Sequence, residues 1–131
     1  MRNEDIPVVR RIPASRDDVF AFAVEGYLND AALENLYGLL DAAYEEHDKI
    51  DLLIRLSGYD GFDWGSAFSE SMLTLRAKSL RHLRRYAIVG GPVWIQASIR
   101  LMHPFLSIEM RGFETEDEPE AWAWLEAQPA E

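Results

Sequence analysis

The sequence predicts an α/β domain on a mostly parallel sheet. Two observations carry that prediction: short, almost continuously apolar runs alternate with segments of helical spacing, and Gly, Pro, Asn and Asp gather at the changeovers. Length is a third, since 131 residues make one ordinary domain. A chain of that size buries roughly two-thirds of its extended surface and needs no staple or metal. Residues 1–131 are therefore read as one domain without repeat or linker.

Ile6 to Ile12 and Val19 to Val24 read as strands, and the turn-rich Pro13 to Asp18 between them makes an antiparallel pair. Asn29 is placed to cap a helix in which Leu33, Leu36, Tyr37, Leu40 and Tyr44 fall at helical spacing. Ile50 to Leu56 is short and apolar, as a strand covered on both faces must be, and should be central. A loop, Gly58 to Gly65, leads to a second helix from about Ser66, with Phe68, Met72, Leu75 and Leu83 along one side. Its basic residues lie near its end, where cations suit the helix dipole.

Tyr86 to Val89 is another buried strand, and Gly90-Gly91 a turn. Pro92 opens a third helix that ends before His103-Pro104. Ser107 to Phe113 alternates as a strand, and Glu116 to Ala127 closes as a helix with acids in its first turn. The order is ββαβαβαβα: five strands and four helices, joined by right-handed crossovers.

Composition limits the function. With 48% hydrophobic and 27% charged residues the chain is globular. It has no cysteine, which removes disulfides, thiolate metal sites and a thiol nucleophile. Arg2, Glu4, Asp5 and Pro7 leave no apolar core for a secretion signal, and Arg55 and Arg100 interrupt the longest apolar runs. A soluble, cytoplasmic protein without a transmembrane segment is expected. A net charge of -10 disfavours nucleic acid. That charge is uneven, because Ser71 to Gly112 holds seven basic residues against Glu109. Among them Arg76, Lys78, Arg81, Arg84 and Arg85 form a candidate surface for an acidic partner or a solvated face.

No catalytic constellation stands out. His47, His82 and His103 lie on separate elements without metal-ligand spacing, and no serine sits in a nucleophile elbow. The glycines match no nucleotide fingerprint. No metal, cofactor or enzyme activity is expected. In open α/β sheets ligands bind beyond the carboxyl ends of the parallel strands. Tyr59, Phe62 and Trp64 follow one such end, and Gly90, Gly91 and Trp94 follow the next. With Arg55, a charge inside an apolar strand, and Phe68, they form a candidate pocket for a small apolar or lipid-like ligand. Core packing is the alternative for the aromatics, and a structural ion pair for Arg55.

Several short stretches are similar to one family. Gly26-Tyr27-Leu28-Asn29, Leu56-Ser57-Gly58-Tyr59, His82 to Gly90, Trp94 and Ala121-Trp122-Ala123-Trp124-Leu125 resemble SpoIIAA-like proteins, of the STAS and SEC14-type fold. The resemblance spans nearly the whole chain and speaks for fold more than for activity. It implies a non-enzymatic regulatory or protein-interaction module like the STAS-type antagonists of anti-sigma factors, or else a carrier of a lipid-like ligand. In the antagonists a serine at the start of the second helix accepts phosphate, and Ser66 holds that place. Here Asp63-Trp64-Gly65-Ser66 lacks their Asp-Ser adjacency, so Ser66 reads as a helix cap before it reads as a phosphoacceptor. The expected partners are a protein, a small apolar ligand or a second copy in a homodimer.

Overall fold

The computed structural model describes residues 9–28, 30–62, 74, 77–79, 81–102 and 108–130. Strands β1 (Val9–Ile12), β2 (Val19–Leu28), β3 (Ile50–Phe62), β4 (Leu83–Val89) and β5 (Glu109–Phe113) form one sheet in that spatial order. β1 runs antiparallel to β2, and the other three neighbouring pairs are parallel. This is the mixed, mostly parallel sheet that the alternation of elements predicts. Three helices have complete bounds, α1 (Asp30–Glu46), α2 (Val93–Met102) and α3 (Glu118–Trp124), against four expected. Of the helix expected from Ser66, only Thr74, residues 77–79 and residues 81–82 are described, and all are helical.

The sheet is covered on both faces because its strands are apolar on both. On one face Phe20, Phe22 and Val24 join Leu52, Ile54, Leu56 and Ile88, and α1 buries Leu40, Ala43 and Tyr44 against them. The intervening residues turn to the other face. There Val19, Ala21, Ala23, Leu53, Ala87 and Val89 meet Ala121 and Trp122 of α3 and the following Leu125. The alanines on that face leave room for the large Trp122 side chain. Each large apolar side chain removed from water contributes about 1.5–3 kcal/mol, so the two clusters hold α1 and α3 to the sheet.

Three departures from expectation have physical causes. β2 and β3 run on to Leu28 and Phe62, past the expected ends at Val24 and Leu56. Much of the expected Gly58 to Gly65 loop is therefore strand. The two extensions pair with each other, Gly26 with Tyr59 and Leu28 with Phe62, beyond register shifts that begin after Ala23. Such bulges admit unpaired residues, and Gly26 takes a φ of 133°, which residues with a Cβ rarely adopt. Second, Leu83, Arg84 and Arg85 belong to β4 and not to the end of the second helix. Ile50 pairs with Leu83 and Asp51 with Arg85. Third, the final helix is shorter than Glu116 to Ala127. A 3-10 turn at Thr115–Asp117 precedes it, and Glu126 follows at a φ of 61°.

Beyond α3 the chain folds back onto the turn between β1 and β2. Ala14 and Pro129 form an antiparallel bridge. The Ser15 N–H donates to the Gln128 carbonyl at 2.8 Å, and the Ala130 N–H to the Pro13 carbonyl at 2.8 Å.

Candidate functional site

A dense charge cluster lies at the amino ends of the parallel strands. Asp51, the second residue of β3, is 1% exposed. Its carboxylate accepts from Arg84 Nε at 3.0 Å, Arg84 Nη2 at 2.9 Å and the Arg85 N–H at 3.1 Å. Asp18, just before β2, accepts from Arg16 Nε at 3.0 Å and Nη2 at 2.9 Å, and more distantly from Arg84 at 3.4 Å. Arg16 also lies 3.5 Å from Asp51 and donates to the Leu125 carbonyl at 2.9 Å. Two guanidinium groups and two carboxylates thus neutralise one another. The Arg16 hydrogen bond holds the Asp18 carboxyl below the usual carboxylate range against the opposing effect of burial. Hydrogen bonding to Asp51 pushes Arg84 up in turn. A buried charge persists only when paired in this way, so the cluster joins the starts of β2, β3 and β4.

A second pairing crosses from sheet to helix. Arg55 in β3 donates from Nε and Nη2 to Glu118 at 2.8 and 2.7 Å, and Trp122 Nε1 donates to the same carboxylate at 3.0 Å. The Arg55 hydrogen bonds lower the Glu118 pKa, burial opposes them, and the Trp122 N–H assists. Glu118 and Asp18 both bind protons more weakly in the folded chain than in the unfolded one. Their stabilising contributions are therefore complete above the ordinary carboxylate range and are lost as pH falls through the folded values. Urea unfolding across pH 7 to about 3 should show stability falling with acid, and the fall should be shallower in Glu118→Gln. An unchanged slope in that variant would remove Glu118 from the account.

The cations expected to form a partner surface are distributed differently. Lys78 is paired with Asp41, and with Glu45 at 2.8 Å, on the face of α1. Arg84 belongs to the Asp51 cluster. Arg85 donates to the Trp124 carbonyl at 2.6 Å and lies 3.5 Å from Glu109 and 3.4 Å from Glu126. Arg81 is exposed and accepts Lys49 Nζ on its carbonyl at 2.7 Å. Arg76 lies outside the described residues.

Of the candidate pocket, Gly90 and Gly91 stand at the carboxyl end of β4 with φ of 78° and 88°. The Gly90 carbonyl accepts from Gln96 Nε2 at 2.8 Å, which seats α2 against the sheet. Gly112 on β5 faces the same amide: a Cβ there would overlap the Gln96 side-chain oxygen and lie 2.9 Å from its carbon. Tyr59 and Phe62 fall in β3 and Trp94 in α2, but their side chains lie outside those described, as do Trp64, Ser66 and Phe68 entirely. The expectation of a lipid-like ligand rests on those aromatics.

What the described residues do form is a groove of about 820 Å³ along β5, where Gly91, Val93, Gln96 and Arg100 face the run from Glu109 to Gly112. Trp124 borders it too. On α2, Val93, which lines the groove, is 83% exposed, and Leu101, two turns further along the helix, is 71% exposed. Another groove, about 720 Å³, lies between α3 and the returning tail, lined by Trp122, Pro119 and Pro129 among others. No group of three potential metal ligands occurs among the described residues. No helix among them is long and apolar enough to cross a membrane.

Reading the sequence missed Asp51, Asp18 and Arg16; it weighed Glu118 only beside Asp117, as a paired carboxylate, and not as the partner of Arg55. The signal was present at Asp51: a carboxylate at the head of an apolar strand needs a cation, and Arg84-Arg85 precede the next such strand. The α2–β5 groove was marked only through Gly91.

A family model described as SpoIIAA-like matches residues 19–126. Among solved structures, an uncharacterized protein of the DUF3478 family from Shewanella loihica PV-4, described as having a SpoIIAA-like fold, is similar with a TM-score of 0.70. The two are 26% identical, and the match covers 89% of this chain and 91% of that one. No protein of curated function matches.

Proposed function

Because the chain belongs to the SpoIIAA-like family, we propose that it is a non-enzymatic regulatory module of the STAS type, working in the bacterial cytoplasm by docking another protein. The observation that carries this reading is the outer side of α2. Val93, Ala97 and Leu101 recur at four-residue spacing and are exposed, so they form one stripe along the helix. Exposed large apolar side chains concentrated on one element mark interaction surfaces rather than ordinary solvent faces. Arg100, the sole charge on α2, borders the stripe. The partner that fits is a protein with an apolar patch edged by carboxylates.

Affinity capture from the native cytosol should compare the wild-type chain with Val93→Glu/Leu101→Glu. Both positions are exposed, so the double variant should fold normally. One protein should be retained in fixed proportion by the wild type and lost by the variant. Turnover of a metabolite by the purified chain, abolished by one substitution in the groove, would overturn the reading.

A further inference from the structure

We propose that β5 is a self-association edge, at which two copies of the chain pair antiparallel about a two-fold axis through Met110 and join their sheets into one. Among the described residues β5 has β4 as its one neighbour, so its other side is an open strand edge along the groove. Such an edge presents unpaired N–H and C=O groups to any strand that can match them.

The backbone sets which registers are possible. The Phe113 carbonyl faces β4, where it accepts from the Gly90 N–H at 2.8 Å. Backbone groups alternate sides along a strand, so Glu109 and Arg111 also turn theirs to β4, while Met110 and Gly112 turn theirs to the open edge. In an antiparallel pair, outward residues must oppose outward residues. A two-fold axis can therefore pass through any residue of β5, from Glu109 to Phe113, but not between two of them.

Charge then chooses. An axis through Glu109 sets that carboxylate against its own copy, and an axis through Arg111 does the same with guanidinium groups. Like charges directly opposite are unfavourable. An axis through Gly112 or Phe113 leaves Glu109 beyond the paired stretch. With the axis through Met110, Glu109 of each chain opposes Arg111 of the other, twice, at the closely spaced non-hydrogen-bonded positions. Met110 then exchanges both backbone hydrogen bonds with its copy, and Ile108 meets Gly112. Glu109 and Arg111 are both exposed. Within the chain Glu109 has a 3.5 Å contact with Arg85, and Arg111 lies 5.1 Å from the Phe113 ring centre, on the same strand face as Glu109. The proposal concerns the strand edge and does not depend on a different protein docking at the α2 stripe.

The test is sedimentation equilibrium of the full chain as wild type, Glu109→Arg, Arg111→Glu, the double exchange, and an equal mixture of the two single variants. The wild type should be dimeric. Each single variant opposes like charges twice and should raise the dissociation constant at least about tenfold. The double exchange should restore the dimer, and the mixture should form a one-to-one heterodimer, which also shows that the single variants are folded. A wild type that stays monomeric at its highest soluble concentration, a dimer indifferent to both single exchanges, or a mixture that stays monomeric would each overturn the proposal. The first of these outcomes leaves the α2 docking reading intact, and capture with the Val93/Leu101 variant decides that separately.

Discussion

Asp51→Ala should lower the unfolding free energy by about 3 kcal/mol, as measured by urea titration. Breaking a buried pair costs most when it strands a buried charge. Here the Arg85 N–H loses its acceptor, and among the described residues Arg84 keeps only the 3.4 Å contact with Asp18. Arg84 is 43% exposed, so water recovers part of the loss and the cost falls toward the low end of the range for such pairs. Asp51→Asn keeps the shape and one acceptor for the Arg85 N–H, and should lie between the wild type and the alanine variant. Equal stability in all three would mean that the cluster adds nothing to the folded state.

Trp122→Ala should cost more, about 3–5 kcal/mol, the range for deleting a large buried aromatic. Trp122 is 4% exposed and packs against the alanine-lined face of the sheet. Ala121 is the other buried residue of this short helix, so Trp122 is the large side chain that anchors it. Trp122→Phe separates packing from polarity. It retains most of the buried ring and loses the Nε1 hydrogen bond to Glu118, for a cost nearer 1 kcal/mol. If phenylalanine proved as damaging as alanine, the indole N–H and not the packing would be the main contribution of this residue.

The elements that could be read from sequence are those whose cause is local. Tyr44, Leu40 and the central run at Ile50 announce a helix face and a buried strand by spacing and composition alone, and the antiparallel opening and the element order followed from such signals. Pairing is not local. Composition marks Gly58 as a turn, yet Gly58 is strand because Glu25 lies opposite it. Arg84 and Arg85 look like the basic end of a helix, and only their partnership with Asp51 places them on a strand. The same limit applies to the site. Gly91 was visible because a diglycine turn after a buried strand is a local signature, whereas Glu109, Met110 and Arg111 matter through an edge that exists only once the sheet has been assembled.

The contact between Arg16 and the Leu125 carbonyl spans 109 positions in sequence, and that separation orders events during synthesis. As the chain leaves the ribosome, β1 and β2 can pair early, because their partners are close in sequence and loop closure costs little. Asp51 and Arg84 then emerge and can join Asp18. Arg16, however, has no Leu125 carbonyl to reach until nearly all the described chain has been made, and the clasp between Pro13 and Ala130 forms later still. One face of the nascent sheet therefore waits, with Val19, Leu53 and Val89 uncovered, for Trp122 and Leu125 to arrive. A stalled or truncated chain would display that apolar face, the feature by which chaperones and proteases sort unfinished proteins from finished ones.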